Sequence, residues 1–288
     1  MLIGHQKQWQ FLINAAKVNK LPHAFLFSGQ AGLGKRTLAV EFIKWLNCQN
    51  ANSANTPCQN CKNCKDIELN RYPDLIFISP ESKEIKIAQI RGLKWALSLK
   101  PYMSLFKTAI IDEAHSMNQE AQNSLLKTLE EPKGVALLIL TTEHPEQLFQ
   151  TILSRTQKIK FFPVPAGEIK NYILKEGADK ETATALAELA LGRPGVAINF
   201  LKNADKLKFQ QKTIRDFTKM AQSPLALRFQ YAKDLAEDYQ NLKDALECWQ
   251  NYLRGILLEK ICAKKPKEPA AFLNNYPISK LKNIIQLE

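Results

Sequence analysis

Five short apolar runs alternate with helix-like stretches over residues 1–162, and this alternation limits the possible fold more than any other feature of the sequence. In chain order the predicted strands are Ala24–Ser28, Asp74–Ser79, Lys107–Asp112, Val135–Thr141 and Lys158–Phe162. Apolar residues between the runs recur at helical spacing, which predicts intervening helices. Strands that alternate with helices form a mainly parallel sheet covered on both faces. The sequence therefore predicts an α/β domain over residues 1–162.

The strand pattern stops after Phe162, where Pro163 and Pro165 mark a linker. Beyond it the sequence predicts short helices interrupted at Gly177 and again near Gly192, and then helix after helix from about Asp205. The predicted domains are an α/β domain over 1–162, a small helical domain over 163–204 and an all-helical domain over 205–288.

A glycine-rich loop follows the first predicted strand and leads into a predicted helix. It reads Gly29-Gln30-Ala31-Gly32-Leu33-Gly34-Lys35-Arg36-Thr37. Glycines let the backbone amides turn toward phosphate oxygens, the lysine adds a positive charge, and the helix N-terminus favours an anion. The residues predicted to bind a nucleotide phosphate are Gly29, Gly32, Gly34, Lys35 and Thr37.

Arg36 departs from the usual phosphate loop. The residue after the lysine is normally serine or threonine, whose hydroxyl binds magnesium. Thr37 comes one residue later, and one residue along a helix is a rotation of about 100°. The loop therefore suggests ATP and magnesium as cofactors, whereas Arg36 argues against both. Two interpretations stay open at this point: a working site, or a loop retained as scaffold.

An acidic pair, Asp112 and Glu113, ends the third predicted strand. In nucleotide-hydrolysing proteins an aspartate at such a position holds magnesium, and a glutamate polarises the attacking water. The alternative is an acidic pair that caps the next helix. The phosphate loop upstream favours the nucleotide interpretation.

Four of the six cysteines fall within 17 residues: Cys48, Cys58, Cys61 and Cys64. In a reducing compartment such clustering indicates a metal more often than disulfides. Four thiolates in closed coordination suit structural zinc, with an iron–sulfur cluster as the alternative. Cys48 is the weakest of the predicted ligands because it follows a predicted helix. Cys248 and Cys262 lie on apolar helical faces and are predicted to be core residues.

The net charge of +12 is spread over both ends of the chain. Such charge favours phosphate-bearing partners, and it also serves general solubility. A zinc-containing DNA-binding module is an alternative function, but the diffuse charge and the absence of interleaved aromatic and basic residues disfavour it.

Neither a membrane protein nor a secreted one is expected. No run of about 18 apolar residues occurs, and the N-terminal sequence lacks a basic segment followed by a long apolar one. We therefore expect a cytoplasmic location.

Taken together, the motifs resemble the clamp-loader subunits of bacterial DNA polymerase III, in the AAA+ superfamily. The similar stretches cover residues 3 to about 200 and read IGHQKQ, LPHAFLFSGQAGLGK, CxxCxxC, IIDEAHSM, LLKTLEEP, LILTTEHP and TILSRT. The resemblance implies a RecA-like domain, a small helical lid and a helical collar. It further implies DNA replication, a hetero-pentamer with gamma/tau and delta subunits, a sliding clamp and primer–template DNA.

The same resemblance implies roles for individual residues. Arg155 falls where the family keeps an arginine finger that acts on ATP in the adjacent subunit, although Thr156 replaces the usual cysteine after it. Thr142 falls at the family's sensor position after the fourth strand.

Two departures bear on the type of subunit. The family's motor subunit keeps threonine after the loop lysine and an arginine in its lid sensor, whereas Arg36 and Gly195 stand at those positions here. We therefore expect a delta-prime-type subunit with weak or absent ATPase activity. The alternative is an active ATPase like gamma/tau, with Glu113 and Thr142 as catalytic residues.

Overall fold

A computed structural model describes residues 2–18, 20–50, 55–131 and 136–262. The chain divides into two units, Met1–Ala197 and Ile198–Glu288. The predicted border between the α/β domain and the helical lid falls inside the first unit and stays a prediction. Within the described ranges, every helix is too short or too polar to span a bilayer.

The first unit contains the predicted parallel sheet. Its strands are β1 (Ala24–Ser28), β2 (Leu75–Ile78), β3 (Lys107–Ile111), β4 (Ala136–Thr142) and β5 (Gln157–Lys160). They lie in the order β2-β3-β4-β1-β5, with all neighbours parallel. The five predicted strands are confirmed with ends displaced by at most two residues; Val135 lies outside the described residues. This order places β1 beside β4, so the carboxyl ends of these two parallel strands lie next to each other at one edge of the sheet.

Nine helices of four residues or more begin within the described part of the first unit, and the last of them runs past its end at Ala197. They are α1 (Gln6–Lys17), α2 (Lys35–Asn47), α3 (Lys62–Glu68), α4 (Ile87–Ser98), α5 (Gln119–Glu130), α6 (Gln150–Ser154), α7 (Ala166–Lys175), α8 (Lys180–Leu189) and α9 (Pro194–Lys202). Short 3-10 turns occur at Ala114–Ser116 and Pro145–Gln147. The helices α3 and α6 were not predicted, because segments of five to seven residues are too short to show a helical period.

The sheet has a separate apolar core on each face. On β3, the side chain of Ile110 joins the cluster that contains Phe42 of α2, whereas Ile111 joins the cluster that contains Leu125 of α5. Successive side chains of a strand point to opposite faces, which explains the division. Because both faces are covered, β1, β3 and β4 are buried along their whole length.

The described part of the second unit, up to residue 262, is helical, as predicted. It contains α10 (Ala204–Ala221), α11 (Leu225–Ala236) and α12 (Tyr239–Cys262). The Phe217 and Trp249 ring centroids lie 5.2 Å apart, and Trp249 donates a hydrogen bond from Nε1 to the carbonyl of Thr213 at 3.2 Å. Cys248 is buried, as expected of a core residue, and burial raises the pKa of its thiol to about 11. The side chain of Cys262 lies outside the described residues.

A buried aspartate anchors the loop that leads into β3. The Asp74 carboxylate accepts hydrogen bonds from the amides of Tyr102, Met103 and Ser104, and it lies 2.9 Å from Lys107 Nζ. Burial by itself would raise the pKa of Asp74, but the amide donors and the ammonium outweigh burial and hold this pKa well below its ordinary value.

Replacing Asp74 with asparagine should destabilise the fold by about 3–5 kcal/mol at neutral pH, because Lys107 would be left buried without its carboxylate. Urea unfolding of the two proteins measures the difference. The Asp74 pKa is lowered by folding, so the stabilisation is complete above the unfolded pKa of about 4 and is lost as the pH falls further.

The difference between the two proteins should therefore shrink below about pH 4. Asp205→Asn is the matched control, since that side chain is fully exposed. This substitution should change the free energy of unfolding by less than about 0.5 kcal/mol. Equal stabilities of wild type and Asp74→Asn at pH 7 would contradict the role of this network.

Candidate functional site

A cavity of about 290 Å³ lies where the loops after β1, β3 and β4 meet. Ligands of open parallel sheets bind outside the carboxyl ends of the strands, and this cavity is in that place. It is lined by Ala31, Gly32, Gly34, Lys35, Arg36, Thr37, Asp112, Glu113, Thr141, Thr142, Glu143 and Gly195. Seven predicted site residues are thus brought together: Gly32, Gly34, Lys35, Thr37, Asp112, Glu113 and Thr142.

The glycine-rich loop has the backbone that the motif requires. Gly32 and Gly34 have φ of 74° and 92°, in the left-handed region that residues with a Cβ rarely adopt. Gly34 directly precedes α2. The Gly29 amide donates to the Thr142 carbonyl at 3.1 Å, so the loop leaves β1 beside the end of β4. Gly29 belongs to the loop without lining the cavity.

Lys35 is nearly buried at the base of the cavity. Its ammonium donates hydrogen bonds to the carbonyls of Gly29 and Gln30, at 2.5 and 2.8 Å. Burial lowers the Lys35 pKa, and the negative charge of nearby Glu143 is the largest influence that opposes the shift. The lysine therefore supplies a positive charge close to the loop backbone.

Arg36 lies against the acidic residue that the sequence assigned to magnesium. Its guanidinium is 3.6 Å from the Asp112 carboxylate and 4.1 Å from the centre of the Phe77 ring. Asp112 also accepts a hydrogen bond from the Thr141 hydroxyl at 2.5 Å. A guanidinium here provides positive charge where a magnesium site needs a hydroxyl ligand. The residues present therefore do not fit a hydroxyl-and-carboxylate magnesium site.

Glu113 and Thr142 also line the cavity. Glu113 has φ of 50°, and its amide donates to the Thr141 hydroxyl at 3.3 Å. Thr142 is fully buried; its hydroxyl accepts from the His144 amide at 3.1 Å and lies 3.3 Å from His115 Nδ1. Burial lowers the pKa of His115, and nearby His144 adds to that shift.

Sequence reasoning had not selected four residues of this neighbourhood. They are Thr141, Glu143, His115 and His144. Thr141 is the last residue of a predicted strand, and the other three follow a predicted strand within four residues. Position after a strand of a parallel sheet was the signal that could have identified them.

The start of α9 closes over the glycine-rich loop. The Gly195 amide donates to the Gly32 carbonyl at 2.8 Å. A Cβ atom built on Gly195 would lie 3.0 Å from that carbonyl oxygen and 3.1 Å from the Gly32 Cα. A side chain at position 195 would therefore press on the backbone of the glycine-rich loop.

Arg155 does not line the cavity. It directly follows α6, and its guanidinium lies 2.9 Å from the Glu130 carboxylate at the end of α5. A second nitrogen donates to the Thr151 carbonyl at 3.1 Å. The side chain is 37% exposed. Arg155 is thus presented on the surface of the first unit rather than in the unit's own cavity.

The four clustered cysteines form a cage. Their sulfur atoms all lie within 4.8 Å of one another, so Cys48, Cys58, Cys61 and Cys64 could together hold a metal ion. Hydrogen bonds from backbone amides, chiefly that of Cys61, lower the pKa of the Cys58 thiol to about 6. Cys64 lies in α3 and Cys61 caps that helix, so the cage is built partly on a helix and partly on the loop before it.

A buried lysine joins the cage region to α2. The Lys44 ammonium lies 3.3 Å from Glu41, 3.1 Å from Glu68 of α3 and 2.9 Å from the side-chain oxygen of Gln59. Cys48 directly follows the same helix, which begins at the phosphate loop. The helix α2 thus connects the cage to the cavity.

Comparison with known proteins identifies similar chains. A family model described as DNA polymerase III, delta subunit, matches residues 4–165. DNA polymerase III subunit delta' of Bacillus subtilis is 33% identical over 206 residues, which are 72% of this chain and 62% of that protein. DNA polymerase III subunit tau of Escherichia coli is 34% identical over 208 residues, 71% of this chain and 32% of that protein.

A third relative is DNA polymerase III subunit delta' of Pseudomonas aeruginosa, 35% identical over 169 residues, which are 58% of this chain and 51% of that protein. The chain thus spans less than two thirds of the length of each of these relatives. Both delta' and tau subunits match at about one third identity, so similarity alone does not separate the two types.

The packing of Gly195 on Gly32 generates a test. Gly195→Ala should destabilise the fold by about 1–3 kcal/mol, because the new methyl group would press on loop backbone that has no space for it. Gly92→Ala is the matched control, since an added Cβ there meets nothing within 4 Å, and it should stabilise α4 by about 0.5–1 kcal/mol. Urea unfolding should give opposite signs; two stabilised variants would contradict the close approach.

Proposed function

The chain belongs to the clamp-loader family of bacterial DNA polymerase III, and on that premise we propose that it is a delta-prime-type subunit with little or no ATPase activity of its own. Its contribution is Arg155, which acts on ATP held by a neighbouring subunit. The observation that carries this proposal is the Arg36–Asp112 ion pair in the chain's own cavity.

The ion pair argues against hydrolysis at the chain's own loop. Hydrolysis of a nucleoside triphosphate needs a magnesium ion to neutralise charge that develops on the phosphates. Here Asp112 faces a guanidinium at 3.6 Å. The close contact between Gly195 and Gly32 also leaves no place for a sensor arginine at that position. Two components of a working site are therefore missing together.

The position of Arg155 supports action on another subunit. Its guanidinium is partly exposed and is held by Glu130 and by the Thr151 carbonyl, outside the residues that line the chain's own cavity. An arginine that is already oriented loses less conformational entropy when it meets a phosphate. We infer that Glu130 holds the finger until a neighbour supplies the anion.

An active ATPase like gamma/tau is the second candidate. It is favoured by one observation: Lys35, Glu113 and Thr142 line a single cavity, as they would in a hydrolase. Magnesium-dependent hydrolysis by the isolated chain, lost in Lys35→Ala, would establish this candidate. No hydrolysis by the isolated chain would favour the delta-prime type.

We also propose that the cysteine cage holds structural zinc. Four thiolates in closed coordination suit zinc, and the cage lies at the far end of α2 from the cavity. The proposed partners are gamma/tau-type and delta-type subunits in a hetero-pentamer, the sliding clamp and primer–template DNA. The proposed location is the cytoplasm.

Arg155→Ala should slow ATP hydrolysis by the assembly reconstituted from this chain and its gamma/tau-type and delta-type partners. Arginine fingers supplied to a neighbouring site contribute on the order of 10³-fold or more to that site's rate. Because other subunits contribute further sites, the steady-state loss in the whole assembly will be smaller. Single-turnover hydrolysis of labelled ATP measures the loss at the affected site.

Arg71→Ala is the matched control, since it removes an exposed arginine from the same unit. It should leave hydrolysis unchanged. Both variants should assemble to the same size on gel filtration. An Arg155→Ala assembly that hydrolyses ATP at the wild-type rate at every site would overturn the assignment of the finger.

Removal of zinc from the cysteine cage should destabilise the fold without stopping ATP hydrolysis by the assembly. The purified chain should carry about one zinc ion, and Cys58→Ser should lose it and lower the Tm by roughly 5 °C, since a few kcal/mol shifts the Tm of a chain of this size by several degrees. Cys248→Ala should keep the zinc. Metal analysis and calorimetry test this, and an iron–sulfur absorption spectrum would refute zinc.

A further inference from the structure

Arg36 is a fixed positive charge at the cavity. Its guanidinium is held from one side by the Asp112 carboxylate at 3.6 Å and from another by the face of the Phe77 ring at 4.1 Å. Ion pairing and a cation–π contact both restrict the side chain, which is still 52% exposed. A partly exposed, restrained guanidinium can still donate hydrogen bonds to an anion in the cavity.

The charges around the cavity determine how much negative charge it can accept. Its lining has two cations, Lys35 and Arg36, against three carboxylates, Asp112, Glu113 and Glu143. In a usual phosphate loop a divalent cation offsets this acidity and the charge of the third phosphate. Here the place of that cation is taken by a single guanidinium charge. Each additional phosphate of a ligand therefore increases its repulsion from the three carboxylates, and one guanidinium charge offsets this repulsion less than a divalent cation would.

The backbone of the loop retains its capacity to bind phosphate. Gly32 and Gly34 keep the left-handed conformation of the motif, and α2 begins directly after Gly34. The Lys35 ammonium is nearly buried beside the loop carbonyls. A cavity of about 290 Å³ is at the small end of the range for ligand pockets, which suits a compact anionic group.

We propose that this loop binds the diphosphate group of a nucleoside diphosphate without magnesium, with Arg36 in the place of the divalent cation. A diphosphate carries less charge than a triphosphate and therefore meets less repulsion from the three carboxylates. This inference goes beyond the proposed function, because it concerns the chain's own loop and does not depend on the role of Arg155.

The test is isothermal titration calorimetry of the full chain with ADP and ATP, in a chelator and in magnesium. ADP should bind in the chelator, and magnesium should not tighten this binding, whereas ATP should bind at least about tenfold more weakly than ADP in the chelator. These comparisons need only the wild-type chain, so they do not depend on the folding of any variant.

Arg36→Thr restores the hydroxyl of the usual loop and releases Asp112. In this variant magnesium should tighten ATP binding by about tenfold or more, and ADP binding in the chelator should weaken by a similar factor. Arg91→Thr is the matched control, since it removes an exposed arginine from α4, and it should bind like wild type. Lys35→Met should abolish ADP binding while circular dichroism shows the same helix content.

Two results would overturn the proposal. One is the absence of any ADP binding by the wild-type chain at millimolar concentration. The other is ADP binding that requires magnesium, since Arg36 would then not replace the cation. Neither result affects the Arg155 experiment, which measures hydrolysis at a neighbouring subunit's site in the reconstituted assembly, so the two proposals fail separately.

Discussion

The parallel pairing of β1 with β4 is the interaction on which the candidate site depends. Ser28 at the end of β1 is in register with Thr142 at the end of β4, and the Gly29 amide donates to the Thr142 carbonyl at 3.1 Å. The two strands are separated by more than 100 residues of sequence, yet their ends meet at one sheet edge. With β3 on the other side of β4, the acidic pair is brought to the same edge. The order of the strands thus assembles the cavity.

Three of the ion-pair clusters in the described part of the first unit differ in what they do. Asp74 pairs with Lys107, Lys44 pairs with Glu41 and Glu68, and Arg36 pairs with Asp112. The first two pairs attach a loop or a short helix to the sheet domain and are structural, since burial of an unpaired charge is costly. The third lies in the cavity, where Arg36 contacts the carboxylate that the sequence predicted as a magnesium ligand. One type of interaction therefore stabilises the fold in two places and, in our proposal, replaces a magnesium ion in the third.

Local pattern was sufficient for much of the fold. All five strands were predicted, and three of them, β1, β3 and β4, are apolar runs buried along their whole length. The intervening helices α2, α4 and α5 were predicted because their apolar positions recur over three turns. The short helices α3 and α6 were missed, because a single turn or two has no period to detect. The four cysteines were predicted as a group from spacing, and their sulfurs do meet within 4.8 Å.

The sequence by itself determined the parallel α/β sheet, the phosphate loop, the clustered thiols and the presence of Arg36 where a hydroxyl is usual. Each of these is decided by residues close together in the chain, where side-chain type and spacing act directly. Only the tertiary structure decided that Arg36 meets Asp112, that Gly195 packs on Gly32, and that Arg155 lies on Glu130 outside the cavity. These contacts join residues far apart in sequence, and they follow from strand order and helix packing, which no local pattern specifies.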